Sequence, residues 1–437
     1  MKYRAVALFA VFTWLLCTQL FAENTIDACG FPGTNMAEKI HAAILSAPEQ
    51  GAAIDARCFT GSQTWPTNPW NGITKPGSIL FGDVSITAYN SNFIPSNWTV
   101  AGGGIGVTVL NAVANTHILV LATENVSNVR IQNLEINGQG AETISIGIQI
   151  RGSTSVWVKD CYLHDANSAN IGVDTNNPHA FSKDIWISEN QIGRTYAHAI
   201  YNIQVGNSKN VHIIGNRIND VQMGQFCIGV DGGNQIEIRD NYLNGGGTVS
   251  GGIQIEATDY PLVSQITIAG NRIEGFSGGS GIHIVAVHNN TLRDASLLEN
   301  SLRNVSRGIA IGNFNGENGA VLQKVEVLRN TIAVNGCCSG IYVWAWAPAP
   351  ISGIQIANNN LAGAGKGDGN GDIVLRGTRG LITQFSVSGN RIQRGTSGNY
   401  GICPIDAVSD GSLASNNSDG DSRRSLCRHG KNITLTD

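Results

Sequence analysis

Residues 211–218 read VHIIGNRI, and close copies follow: IEIRDNYL at 236–243, ITIAGNRI at 266–273, VEVLRNTI at 325–332 and FSVSGNRI at 385–392. Aligned on their last apolar residue, these segments and their neighbours place Asn190, Asn216, Asn241, Asn271, Asn300, Asn330, Asn359 and Asn390 in one column. The intervals are 26, 25, 30, 29, 30, 29 and 31 residues. Upstream, VWVKDCYL puts Cys161 in the column and VRIQNLEI puts Leu134 there. A period in this range belongs to solenoids and propellers. Around each Asn the apolar residues alternate, as with Val211 and Ile213 or Ile266 and Ile268, which is the period of a strand.

A second strand recurs between these. It reads GIQIR at 147–151, NIGVD at 170–174, CIGVD at 227–231, GIQIE at 252–256, GIHIV at 281–285, GIAIG at 308–312, GIYVW at 340–344 and DIVLR at 372–376. AIYNI at 199–203 fills the remaining gap. Each period therefore holds two or three short strands joined by Gly- and Asn-rich turns. The WD signature of a propeller blade and the Leu spacing of a leucine-rich horseshoe are both absent. With 54 glycines and only 14% charged residues, a helical repeat is excluded as well. What remains is an all-β solenoid, a parallel β-helix of about ten to twelve coils, each strand stacked on its counterpart roughly 4.8 Å away. The Asn column then stacks amide on amide at a bend and satisfies turn backbone, so it is structural rather than catalytic.

On this repeat, residues from about 80 to 415 resemble the right-handed parallel β-helix superfamily, the pectate-lyase-like group of secreted carbohydrate-active proteins. The right hand and the carbohydrate-active role are what the resemblance implies. The Asn-Thr-Asp, Asp-Asp, Gly-His-Gly and Arg-Ile-Lys motifs of polygalacturonases are absent, as is the Trp-Ile-Asp-His stretch of pectate lyases. Such solenoids need a covered end, and NMAEKIHAAILSAP (35–48) supplies a short helix with Met36, Ile40, Ala43 and Ile44 on one face. Asn35 and Glu38 have capping-box spacing. Residues 51–100, with Trp65, Trp70 and Trp98, read as distorted first coils.

Lys2 and Arg4, an apolar run and a small residue at Ala22 describe a secretory signal peptide over 1–22. The chain then divides into a cap with irregular coils at 23–79, the β-helix at 80–415 and a polar tail at 416–437. This places the protein outside the cell or in a periplasm, with no membrane span. Eight cysteines follow the leader, an even number that suggests disulfides in an exported chain. Cys29–Cys58 and Cys403–Cys427, near the two ends, are the expected pairs. Adjacent Cys337 and Cys338 are structural, and no spacing suggests a zinc site. A net charge of −4 without a basic stripe excludes nucleic acid as partner.

Residues on each strand alternate in and out, so stacked coils form outward columns. One runs Arg151, Asp174, Asp231, Glu256, Val285, Gly312, Trp344, Arg376; its neighbour runs Gln149, Gly172, Tyr201, Gly229, Gln254, His283, Ala310, Tyr342, Val374. Asp174, Asp231 and Glu256 fall within four consecutive coils. Paired carboxylates at such spacings serve glycoside hydrolysis, and adjacent like charges favour a protonated general acid. Gly172 and Gly229 would leave room for a sugar ring. Tyr201, Tyr342 and Trp344 offer stacking faces, Arg151 and Arg376 would hold an acidic sugar, and His283, beside the acids, is a fourth catalytic candidate, for an acid–base role.

IGVDTNNPHAF (171–181) offers a second candidate. Alginate C5-epimerases of the same fold carry Asp-Pro-His at the end of such a strand; here the tripeptide is Asn177-Pro178-His179. With His198 and Tyr201 it would abstract the proton beside a uronate carboxylate. Three readings therefore stand: a polysaccharide hydrolase using Asp174, Asp231 and Glu256, a uronate lyase or C5-epimerase, and a non-catalytic β-helical binding or surface protein. No cofactor is required. Ca²⁺ is an alternative ligand for the clustered carboxylates and for KGDGNGD at 366–372.

Overall fold

The protein is described by a computed structural model covering residues 24–436, apart from 114–117, 141–144, 175–179, 197–200, 220–225, 247–250, 259, 315–318, 336, 364–367, 369–370, 394–399 and 419–430. Each coil contributes up to three strands, one to each of three faces. In one coil these are Phe226–Val230, Gly233–Arg239 and Tyr242–Asn244. Pairing is parallel and runs from coil to coil. Val230 stands opposite Val205 and Ile255, Ile236 opposite Val211 and Ile266, and Leu243 opposite Ile218 and Ile273. The result is a parallel β-helix of about 12 turns.

The alternating apolar residues form the core. Ile253 and Ile255 on the first face, Ile266 and Ile268 on the second and Ile273 on the third are all buried. Each contributes roughly 1.5–3 kcal/mol by leaving water. The turn from second to third face is the repeated sequence motif. The residue before each column Asn takes a left-handed conformation: Glu189 (φ 57°), Gly215 (66°), Asp240 (56°), Gly270 (64°), Glu299 (55°), Arg329 (56°), Asn358 (57°) and Gly389 (63°). The Asn then turns inward and is buried. Asn271 donates from its backbone N and its Nδ2 to Asn300 Oδ1, both at 3.0 Å, and from Nδ2 to the Ile238 carbonyl at 2.9 Å. The same pattern runs unbroken from Asn190 to Asn390 and ends on Asn416. Cys161, buried, begins it by donating its backbone N to Asn190 Oδ1.

A second left-handed residue recurs within the strands that carry the second face: Asp184, Asn210, Gln235, Gln265, Asp294, Lys324 and Gln384. Sequence reasoning found no signal there, because no single residue type marks the position.

The helix Met36–Ser46 buries Met36, Ile40, Ala43 and Ile44. Asn35 Oδ1 accepts from Glu38 N at 3.0 Å, while the Glu38 carboxylate accepts from Thr34 rather than from Asn35. Its apolar face meets a cluster in which Trp65, Trp70 and Trp98 are buried and packed edge to face. The region expected to hold the first, distorted coils pairs as parallel coils: Ala52–Ala56 pairs with Gly77–Phe81, which pairs with Trp98–Ala101. At the other end Lys431–Thr436 pairs with Tyr400–Ala414, so the polar tail carries one more strand.

Cys29 and Cys58 form the expected disulfide. Cys337 and Cys338 are bonded to each other, and Cys161 and Cys227 are free and buried. Cys403 is disulfide-bonded; Cys427, its expected partner, lies outside the described residues. So does the expected leader at 1–22.

Candidate functional site

The outward side of the first face carries the candidate chemistry. Its rows are set by register: Gln204, Gly229, Gln254, His283, Ala310, Tyr342 and Val374 in one, and Glu256, Val285, Gly312, Trp344 and Arg376 in the next. A third row, with Val287 opposite Phe314, adds exposed Phe314 and Trp346 at its rim, the two rings meeting edge to face at 5.4 Å. Together these rows line an open groove of about 710 Å³ that reaches from Gln254 and Glu256 to Arg376.

The groove is an aromatic platform made possible by small residues. Trp344 leans across Gly312, where a Cβ would sit only 2.1 Å from the indole. From there its ring stacks on Tyr342 at 5.3 Å and on His283 at 5.7 Å. His283 continues the stack to Phe226 at 6.1 Å. The Arg307 guanidinium covers Tyr342 at 5.2 Å and is held by Asp368, with Nε to Oδ2 at 2.8 Å. Burial raises the Tyr342 phenol above its ordinary value, and the charges of Arg376 and Arg307 oppose that. Burial, assisted by the charge of Arg307, pushes the His283 imidazole down to about 4. At neutral pH His283 is therefore an uncharged ring in a stack, which argues for a packing and binding role over the acid–base role expected for it.

At the other end lies an acid network. Gln204 Nε2 donates to Asp231 Oδ2 at 2.9 Å, and the Tyr201 hydroxyl lies 3.1 Å from Asp231 Oδ1 and 3.2 Å from Gln254 Oε1. Gln254 Nε2 in turn lies 2.5 Å from Glu256 Oε2. Glu256 and Asp231 are both partly exposed, on adjacent coils.

Several expected residues are elsewhere. Asp174 does not face outward. Its φ of 50° turns it back, and it is fully buried, accepting from Gly152 N at 2.8 Å, Ser182 Oγ at 2.9 Å and Ser208 Oγ at 3.0 Å. It stitches three segments together and is not one of the surface acids. Tyr201 is not in the outward column given to it. Its strand is Tyr201–Val205, with Tyr201 opposite Phe226, and Gln204 fills the column. Tyr201 is buried and lies across Gly229, where a Cβ would be 2.1 Å from its ring, so that glycine makes room for a phenol and not for a sugar. Arg151 pairs with Glu124 (3.5 Å) and lies four coils from Glu256, roughly 19 Å along the axis, so it does not bracket the groove. Gly172 is likewise three coils from Gln254. His179 and His198 lie outside the described residues.

Glu256, His283, Tyr342, Trp344 and Arg376 are brought together as their columns require. Arg307, Phe314, Trp346 and His288 were missed. Phe314 and Trp346 were within reach, because both continue the outward alternation two residues past the five-residue motif. Arg307 gave no signal, since its place depends on Asp368 from another coil. Among the described residues one group of three side chains has metal-ligating spacing, Asp27 with Cys29 and Cys58, and that disulfide occupies both sulfurs. Asp368, from the expected calcium loop, is committed to Arg307 and to Ser339 N. No described helix is long and apolar enough to cross a membrane.

No family model matches the chain, and no curated protein matches its sequence. Solved structures do resemble it. A family 28 exopolygalacturonase of Yersinia enterocolitica is 11% identical with a TM-score of 0.55, covering 94% of this chain and 78% of its own. A surface adhesin of Streptococcus pneumoniae is 14% identical with a TM-score of 0.55, covering 94% and 93%. The A-module of a mannuronan C-5 epimerase from Azotobacter vinelandii is 14% identical with a TM-score of 0.50, covering 94% and 100%. At these identities the likeness is one of fold. The chain is a parallel β-helix protein with an aromatic groove on one face.

Proposed function

We propose that this is an exported β-helix protein that binds a polysaccharide in the aromatic groove and hydrolyses it with Asp231 and Glu256. One observation carries the reading: the groove lined by the stack of His283, Trp344 and Tyr342 also takes in Glu256, which Gln254 and Tyr201 link to the carboxyl group of Asp231. Aromatic faces suit the apolar faces of sugar rings. Two carboxyl groups beside a bound chain allow one to protonate the departing oxygen while the other acts on the anomeric carbon, directly or through a water. Similar folds occur in a protein named as a polygalacturonase and in one named as an epimerase, so polysaccharide chemistry is at home on this scaffold. The disulfide Cys29–Cys58 agrees with export.

A uronate lyase or epimerase is the second reading, supported by Arg307 and Arg376 flanking Tyr342 in the same groove. Product mass from a panel of neutral and acidic polysaccharides separates the two. Fragments that have gained one water, lost with Glu256→Gln and with Asp231→Asn by 100-fold or more, are expected, in line with general acid–base contributions of roughly 10²–10⁴. Unsaturated ends, or inverted uronates without cleavage, would move the chemistry to Tyr342 and the two arginines. Binding that Trp344→Ala weakens, with no product from any substrate, would make the protein a lectin-like module.

A further inference from the structure

Asp368 belongs to KGDGNGD (366–372), yet its carboxyl group acts two coils earlier. The side chain is only 7% exposed. Its Oδ2 accepts from Arg307 Nε at 2.8 Å and from Ser339 N at 3.0 Å, while Oδ1 meets a terminal nitrogen of the same guanidinium. Arg307 opens the strand Arg307–Phe314, and Ser339 leads into Ile341–Ala345, the strand that carries Tyr342 and Trp344. These strands are successive: Ile309 stands opposite Ile341, and Ile341 opposite Ile373. One carboxyl group therefore ties three coils together at the edge of the groove.

The tie leaves Arg307 with work still to do. A guanidinium carries five N–H donors in one plane. The fork onto Asp368 uses two of them, and no described residue accepts from the other three. Those three include the edge between the two terminal nitrogens, which forks onto a second oxyanion as readily as the first edge does. The plane itself is fixed by the Tyr342 ring beneath it, 5.2 Å away, and the side chain, 29% exposed, lines the groove. Its rotamer freedom is thus lost on folding, so a ligand does not have to order it. Arg376 lines the same groove and is held more loosely. Its partner Asp406 is 3.5 Å away, and both side chains are about half exposed.

The groove is therefore polar along its length. Glu256 lies at one end, and the row through Val285 and Gly312 reaches Trp344 three coils on, roughly 14 Å away, beside Tyr342 and the two arginines. We propose that Arg307 is the anion-binding point of this groove, that Asp368 is its positioning residue, and that the bound chain is an anionic polysaccharide whose carboxylate or sulfate group sits on Arg307. This rests on the reading of the groove as a polysaccharide site, and adds which end of it selects the chain. A planar fork is the group that matches either oxyanion; a lysine ammonium at the same place would offer charge without the paired geometry.

The test turns on a sign. Removing the Asp368 charge makes the groove more positive, so charge alone predicts that Asp368→Asn binds an anion more tightly. Positioning predicts the reverse. Tryptophan fluorescence titrations of the purified chain would use polygalacturonate, dextran sulfate and uncharged dextran. The wild type is expected to bind at least one of the two anionic polymers, less tightly as salt rises; which one binds tells carboxylate from sulfate. Asp368→Asn and Arg307→Lys are each expected to weaken that binding about ten-fold or more, and the dextran signal is expected to respond to neither. Arg307→Lys, which keeps the charge and loses the fork, carries the test should Asp368→Asn fold poorly. Tighter or unchanged binding in Asp368→Asn, full affinity in Arg307→Lys, or no binding of either anionic polymer overturns the proposal. So does a loss of binding accompanied by loss of the near-ultraviolet circular dichroism of the ring stack, because Asp368 would then only hold the groove together. Anionic binding that follows the expected pattern, with turnover undiminished in Glu256→Gln, leaves the anion site standing while the hydrolytic reading falls. Cleavage of a neutral polymer that Glu256→Gln abolishes, without anionic binding, does the opposite.

Discussion

His283 shows how burial decides the part a residue plays. In the sequence it is a histidine beside acids, the usual setting for acid–base chemistry. In the fold it is a ring between two rings, with its pKa pushed down from 6.5 to about 4. Between those values the unfolded chain takes up a proton that the folded chain refuses. Stability linked to His283 is therefore full above about pH 6.5 and falls as the pH drops toward 4. The imidazole still touches solvent, so the loss is on the order of 2 kcal/mol rather than the full shift. His283→Phe keeps the stack and removes the titration. Denaturant unfolding at pH 7 and pH 4.5 is expected to show the wild type losing about 2 kcal/mol more than the variant; equal losses would contradict the assignment. Asp174 and Asp231 make the complementary point. Both end a GVD segment, and spacing alone treats them alike. A left-handed backbone at Asp174 sends one carboxylate inward to two serines, while Asp231 stays at the surface. That difference lies in one dihedral, which residue type does not reveal.

At the level of the element, the Asn ladder was legible because it repeats. Eight Asn at one column position mean one local structure repeated, and the buried amides give the reason. Its worth is measurable. Asn271→Ala removes the acceptor for the Asn241 backbone N and side chain, and the donor to Ile238 O. Two buried backbone groups then lack partners, at about 1–3 kcal/mol each. We expect a loss of roughly 3–5 kcal/mol, read as a lower denaturant midpoint with an unchanged slope. A loss under 1 kcal/mol would mean that water or neighbouring amides substitute readily, and that the ladder orders the turn without stabilising it. The AIYNI strand was harder to read than the ladder. Its apolar alternation fits two registers, and only the pairing of Ile203 with Ile171 and Ile228 selects Gln204 over Tyr201 for the outward column. The register error mattered, because it took the phenol out of the bridge between the two acids.

For the whole molecule, the fold was legible and the site only in part, for one physical reason. A solenoid is nearly one-dimensional: each coil contacts its neighbours, so periodicity in sequence becomes periodicity in space. The groove is built from what breaks the period, such as Gly312 beneath Trp344 or Asp368 reaching back to Arg307, and single exceptions carry no pattern. The same one-dimensionality predicts how the molecule fails. Cys29–Cys58 closes a loop with a separation of 29 residues around the capping helix. Opening it frees about 3–4 kcal/mol of unfolded-chain entropy on the loop-closure model. In a compact globule that loss would spread over the whole domain. Here it should fall on the cap and the first coils, where Trp65, Trp70 and Trp98 pack beneath the helix. Hydrogen exchange of the Cys29→Ser/Cys58→Ser variant is expected to lose protection over residues 24–101, with little change beyond Asn271. Uniform loss along the chain would show that the coils unfold as one unit, and that the cap stabilises the groove from a distance.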